Sequence, residues 1–231
     1  MNRQVPVSKG LCAIRRIAVE YRIVLMLGTI LPAAGCGPMA GTLLYHTGLV
    51  QPEKTKAAFD LPKKPLLILV DDDAGLIQPP VARDALVDAL AKELRTRNLV
   101  ENVTTNEELA RLRQSEPDFD RRGAREIGRM ARAELVLWLK VVRFTLPDNL
   151  EAAMAPCYFG ASVKVLDANA EQRQDVCLWP PEREGKLVEA KVSPHQIQAA
   201  KNLREAHHVM ADALAAEVAK LFYEHEKTDQ Q

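Results

Sequence analysis

The chain has 231 residues, with 31 Lys and Arg against 31 Asp and Glu, a formal net charge of +0, and 47% hydrophobic content. That composition buries a sizeable core and excludes a disordered polypeptide. The absence of a basic excess argues against a nucleic-acid partner, whose phosphates need a clustered positive surface.

The first segment differs from the remainder. Arg3, Lys9, Arg15, Arg16 and Arg22 stand against Glu20, an apolar run follows from Ile23 to Leu31, and Pro32-Ala33-Ala34-Gly35-Cys36 closes the segment. A basic n-region (1–22), an apolar h-region (23–31) and small residues (33–36) are the plan of an export signal peptide over residues 1–35. Ala33-Ala34-Gly35-Cys36 resembles a lipobox, with Ala33 where leucine is usual. That resemblance implies a bacterial lipoprotein diacylated on Cys36, cleaved just before it, and membrane-anchored in the cell envelope facing the periplasm. Gly37 in place of aspartate implies outer-membrane sorting by the same resemblance. An uncleaved transmembrane helix over about residues 23–45 is the alternative, because no charge occurs between Arg22 and Glu53 and ~20 apolar residues span a bilayer. Both readings put the bulk of the chain outside the cytoplasm, since the basic flank stays inside.

Residues 36–64 mix Gly, Pro, Thr and Lys with scattered apolar side chains and read as a tether. A single α/β domain (mixed α+β) is expected over 65–226, followed by a tail at 227–231. Leu66 to Val70 is a short continuous apolar run stopped by Asp71-Asp72-Asp73, the pattern of a strand buried on both faces. Pro79-Pro80 opens a helix ending near Arg97-Asn98, with Ala82, Ala85, Leu86, Ala89, Leu90 and Leu94 on its apolar face. A brief strand around Val103 and a helix from Asn106 to Arg113 follow. Asp120 is placed as the cap of a third helix running to Ala131.

Leu135 to Val142 reads as a second central strand. Phe159, Ala161, Val163 and Val165 alternate with Tyr158, Gly160, Ser162 and Lys164, a half-buried strand, and Val176 to Trp179 is its hairpin partner across a turn at 168–170. A weaker strand is expected from Leu187 to Val192. The last element is a long helix from about His195 to Glu226, with Leu203, Met210, Leu214, Val218 and Leu221 in one stripe; ~30 residues give ~45 Å, enough to cross a sheet. The whole predicts a two-layer or three-layer domain with a mixed sheet of about five strands.

Chemistry-bearing clusters are few. Asp71, Asp72 and Asp73 at the carboxyl end of a strand are weak candidates for a metal site. The alternative reading, that these acids end a buried strand and feed a turn, competes directly with it. The five histidines make no ligand pattern, since His207 and His208 are adjacent and diverge on a helix. No phosphate loop, nucleophile elbow or Cys-x-x-Cys occurs, so no cofactor and no catalytic residue is assigned. With the turn at 168–170, Cys177 falls opposite residues 160–162, some ~10–17 Å from Cys157 along the strands, and no disulfide is expected.

Ile127-Gly128-Arg129-Met130-Ala131-Arg132-Ala133-Glu134-Leu135-Val136-Leu137 resembles the α/β domain shared by the N-terminal part of TolB, the curli secretion lipoprotein CsgG and the penicillin-binding-protein activator LpoB, with Glu134 where Asp is usual. The likeness covers roughly residues 64–145. The segment Ala219 to His225 and the strand from Val163 to Asp167 also resemble uncharacterised lipoproteins of planctomycetes. What these resemblances imply is a non-enzymatic envelope lipoprotein that binds a protein partner or self-associates. A metal-dependent hydrolase or phosphotransfer enzyme centred on Asp71–Asp73 is the alternative.

Overall fold

The computed structural model describes residues 54–172 and 176–226. The expected signal peptide at 1–35, Cys36, the stretch up to Glu53 and the tail at 227–231 lie outside the described residues, as does the alternative span at 23–45. No helix among the described residues is long and apolar enough to cross a membrane.

The strands are β1 (Lys54–Thr55), β2 (Leu66–Asp71), β3 (Leu135–Thr145), β4 (Cys157–Asp167), β5 (Cys177–Trp179), β6 (Lys186–Val192) and β7 (His225–Glu226). The helices are α1 (Val81–Thr96), α2 (Asn106–Ser115), α3 (Ala124–Met130), α4 (Pro194–Gln198) and α5 (Leu203–Ala219). The domain is mixed α/β around a five-stranded sheet in the order β2-β3-β4, with β5 and β6 sharing the far edge of β4. β2 runs parallel to β3, and the remaining pairs are antiparallel.

Both faces of β2 are buried, as its unbroken apolar run requires, and the two faces meet different partners. Leu66, Ile68 and Val70 join Leu137, Phe159, Val163 and the apolar sides of α1 and α5 in the main core. Leu67 and Leu69 join Val136, Leu166, Leu109 of α2 and Ile127 of α3 in a second, smaller core. The domain is therefore three-layered over β2 and the adjoining half of β3 and β4. Beyond that it is two-layered, because Lys140, Val142, Leu187, Glu189 and Lys191 stand exposed on the uncovered face.

A bulge at Val142 and Arg143 changes the parity of β3, so both side chains face water while Phe144 returns to the core and meets Phe159 edge-on at 5.0 Å. α2 starts with a capping box, Thr105 Oγ1 accepting from Glu108 N and Glu108 accepting from Thr105 N at 2.8 Å.

Five expectations need correction. Val103 makes only an isolated parallel bridge to Leu66. Asp120 caps no helix: it lies in a 3-10 turn at Phe119–Arg121, and α3 begins later with Gly123 at its N-cap. The C-terminal helix is broken, because Ser193 and Asn202 each cap a new start, giving α4 and a 17-residue α5 of ~25 Å. After a 3-10 turn at Lys220–Phe222 the chain becomes β7.

The tether expectation fails from Lys54 onward. β1 pairs with β7, Ala58 N and Phe59 N donate to Leu221 O at 2.8 and 3.1 Å, Leu61 is buried, and Phe59 packs on Trp179 at 6.1 Å. Residues from Lys54 onward thus belong to the domain. The hairpin register also differs, since Cys177 pairs with Leu166 and Trp179 with Val165. The connection is longer than a tight turn because Asp167 N still donates to Val176 O at 2.8 Å.

Gly128 marks the closest approach of α3 to the sheet. A methyl group there would overlap Val136 Cγ2 and come within 3.1 Å of Ala168 Cβ. We expect Gly128→Ala to cost about 1–3 kcal/mol of unfolding free energy, the usual range for overpacking. Urea denaturation should show a lowered midpoint with an unchanged slope; an unmoved midpoint would mean that α3 lifts from the sheet without loss.

Candidate functional site

Asp71, Asp72 and Asp73 lie where β2 ends, the end of a parallel strand at which open α/β sheets present ligand sites. They flank a cleft of ≈ 500 Å³ whose walls include Arg83, Arg122 and Trp138. The sequence brings three carboxylates to one corner, yet the structure gives each a different task.

Asp72 serves the turn. Its two carboxylate oxygens accept from Leu76 N and Ile77 N, both at 2.8 Å, while Gly75 N donates to Asp72 O at 3.0 Å. Gly75 sits at φ 63, a left-handed position that glycine takes without a Cβ clash. Asp73 serves an ion pair, with Lys140 Nζ 2.9 Å from its Oδ2. The Lys140 ammonium beside it, and a hydrogen bond with Asp71, hold the Asp73 carboxyl below its ordinary range, and the same contact raises Lys140.

Asp71 shifts in the opposite direction to Asp73. Burial raises its pKa above the ordinary 3.8, and the neighbouring Asp73 raises it further through a hydrogen bond and like charge. A hydrogen bond from Trp138 and the charge of Lys140 act in the opposite direction.

The arginines around the corner are similarly engaged. Arg122 pairs with Glu126, Arg125 Nη1 donates to Ala170 O at 3.2 Å, and Arg113 lies 4.9 Å over the Phe119 ring. Among the described residues no group of three or more His, Cys, Asp or Glu side chains is placed to hold a metal ion. What the corner does is pair Asp73 with Lys140, raise the proton affinity of the partly buried Asp71, and fix the turn that follows β2.

The remaining sequence candidates are dispersed. His207 is 2% exposed, its Nδ1 2.7 Å from Leu203 O and its ring stacked on Phe144 at 5.7 Å. His225 sits in β7 with Nδ1 3.2 Å from Tyr223 O. Cys157 is buried, and desolvation raises its thiol pKa. Cys177 is exposed, with Sγ 3.3 Å from Pro180 O. Both cysteines are free. The observed register sets them nine residues apart along β4, from Cys157 to Leu166, or ~30 Å, farther than the tight-turn register implied. Cys36 lies outside the described residues.

Sequence reasoning missed a second cleft, of ≈ 750 Å³, between the β3–β4 connection and the start of α5. Met154, 86% exposed, stands on its rim and His207 on its wall. Its residues come from the turn after β2, the end of β3 with the β3–β4 connection, and Leu203 and His207 of α5, segments with no shared motif, so nothing in the sequence pointed to it.

No protein-family model matches the chain, and no curated protein is similar to it in sequence. In structure it is similar to a PelC dodecamer protein of Paraburkholderia phytofirmans at 12% identity, over 75% of this chain and 98% of that one, with a TM-score of 0.43. It is also similar to a hypothetical protein of Chlamydia trachomatis at 12% identity, over 67% and 93% of the two chains, with a TM-score of 0.38. A lipoprotein of Neisseria meningitidis is similar at 11% identity, over 57% and 82%, with a TM-score of 0.36. None of these likenesses transfers an activity to this chain.

The Asp71 environment sets a pH dependence. A carboxyl whose folded pKa is raised contributes stability that is present below the unfolded value of 3.8 and lost as pH rises through the folded one. Asp71→Asn, which keeps an acceptor for Trp138, is therefore expected to be more stable than the wild type at neutral pH, with the gap closing on acidification. Thermal unfolding of both proteins across that range checks it, and a variant less stable at pH 7 than at pH 4 relative to wild type would show the opposite sign.

Proposed function

We propose that the chain is a non-enzymatic lipoprotein of the bacterial envelope, anchored through Cys36 and facing the periplasm, whose α/β domain binds another envelope protein or assembles with itself. The observation that carries this reading is the sequence from Arg3 to Cys36: a basic segment, an apolar run, and Ala33-Ala34-Gly35-Cys36. The resemblance of Ile127 to Leu137 to TolB-like, CsgG-like and LpoB-like domains supports a partner-binding role in the same compartment.

The enzyme alternative has less support. A metal-dependent hydrolase or phosphotransferase centred on Asp71–Asp73 needs carboxylates free to take a ligand. Here Asp72 is committed to two backbone amides and Asp73 to Lys140.

Mass spectrometry of the protein isolated from a native envelope tests the anchor. The expected product begins at Cys36, carries two acyl chains in thioether-linked diacylglyceryl form, and lacks residues 1–35. An unmodified Cys36 with residues 1–35 attached overturns the lipoprotein claim. The binding role is tested separately by crosslinking in the envelope, where capture of a protein, a second copy included, is expected and its absence counts against the reading.

A further inference from the structure

We propose that β6 is a self-association edge, on which a second copy of this chain adds its own β6 antiparallel across a two-fold axis at Ala190. The inference deepens the binding role proposed above by naming the partner, and rests on that reading only in supposing that the domain works by association.

β6 pairs with β4 on one side, and its other edge has no strand partner among the described residues. Unpaired strand edges present rows of amide and carbonyl groups that template pairing with another chain. Proteins commonly prevent this by covering or shortening the edge. β6 instead is seven residues long and faces a groove of ≈ 570 Å³. The groove runs between Glu189, Ala190 and Lys191 of the strand and Ala213 and Ala216 of α5. Both alanines are half-buried, and Glu217 on the same flank is paired with Lys220 at 2.6 Å, so the helix offers small apolar side chains beside a compensated carboxylate where an added strand would set its inward side chains.

The alternation of β6 says which strand fits. Val188, Ala190 and Val192 face the core beneath α5, whereas Leu187, Glu189 and Lys191 are exposed on the opposite face. A two-fold axis that keeps both copies of α5 on one side of the joined sheet sets residues of like parity opposite one another. Centring on Glu189 would oppose that carboxylate to itself. Centring on Ala190 opposes Glu189 to the second copy's Lys191 and repeats the pair by symmetry. Val188 then meets the second copy's Val192 on the inner face. Directly opposed unlike charges stabilise a strand pair and like charges destabilise it, so the charge order selects the Ala190 register. In the single chain the Glu189 carboxylate reaches back over Gly160 to Arg143 Nη1 at 3.1 Å, so the contact with the second copy's Lys191 is made by turning it outward across the edge. Leu187, 63% exposed, lies at the end of the paired segment and is covered by the joined edge.

Sedimentation equilibrium of the full-length chain in detergent tests the proposal, with charge reversals at the two positions. Wild type is expected to sediment as a dimer. Glu189→Lys and Lys191→Glu each oppose like charges twice and are expected to weaken dimerisation roughly tenfold or more, while the double reversal restores it. Far-UV circular dichroism of each variant establishes that it is folded. A monomeric wild type, or a dimer indifferent to both single reversals, overturns the proposal. A photocrosslinker placed at Leu187 in the native envelope gives a separate reading: crosslinks to a second copy support it. Crosslinks only to a different protein overturn the second copy as the partner while leaving the proposed function standing, whereas a monomer that captures nothing removes both.

Discussion

The pairing of β2 with β3 is the constraint on which the remaining structure depends. The two strands are parallel and far apart in sequence, so everything from Asp72 to Glu134 has to be stored in their connection before the pair forms. Register is usually specified by one buried face, because a slip of one residue turns every side chain over. Here both faces of β2 are apolar and buried, so hydrophobic pattern alone discriminates weakly between neighbouring registers. The polar ends supply the discrimination. At one end Pro65 O accepts from Glu134 N and Leu135 N at 2.9 and 3.0 Å; at the other Asp71 lies opposite Lys140, which reaches Asp73 at 2.9 Å. The acidic corner is thus first a register lock for two greasy strands.

That arrangement explains which parts of the fold were legible in the sequence. β2, β3, β4, α1 and α2 each carry their instruction within themselves, as an unbroken apolar run, an alternation, a helical stripe or a capping box. The uncovered half of the sheet was also readable, since Ser162 and Lys164 alternate with Ala161 and Val163. The features misjudged were those set by a distant segment. The stripe from Leu203 through Leu221 continues the helical period, but His225 and Glu226 are taken into a strand by Lys54 and Thr55. The same pairing turned an apparent tether into part of the domain, because a two-residue strand with both residues exposed leaves no hydrophobic pattern to detect. The β4–β5 register failed for a related reason: Asp167-Ala168-Asn169-Ala170 is good turn chemistry, and Asp167 Oδ1 does accept from Asn169 N at 2.7 Å, yet the chain does not reverse tightly there.

The candidate site shows the same division between what composition offers and what geometry permits. Three adjacent aspartates at a strand end are an economical way to assemble oxygen ligands, and that is how they read before their surroundings are known. In an extended or turning chain, however, adjacent side chains diverge, and of the three only Asp71 and Asp73, two residues apart, stay within reach of each other. Asp72 turns back to the amides of Leu76 and Ile77, Asp73 crosses to β3, and Asp71 points toward Trp138. Convergence on one ion would have required a side chain from another element to gather them, and Lys140, a cation, occupies that role instead. Asp72 also holds the amide of Ile77, whose side chain is buried in the main core, so the corner's structural task reaches into that core.

The segment from Ile127 to Leu137 joins α3 to β3, and its residues can be assigned physical work. Ile127 fills the smaller core, and Gly128 allows α3 to lie against Val136 and Ala168. Ala133 is buried with its N–H donating to Gly128 O at 2.9 Å, and Glu134 pairs with Lys64 at 3.3 Å, beside the start of β2. Arg132 adopts φ 57, the left-handed turn that ends the helix and aims the chain into β3. Every one of these tasks concerns how a short helix hands over to a buried parallel strand. A motif of that kind is shared wherever the same hand-over is built, whatever the domain binds, so it is a statement about architecture. The surfaces the motif does not touch are the ones it leaves undetermined, and among the described residues the open edge of β6 and the uncovered half of the sheet are such surfaces.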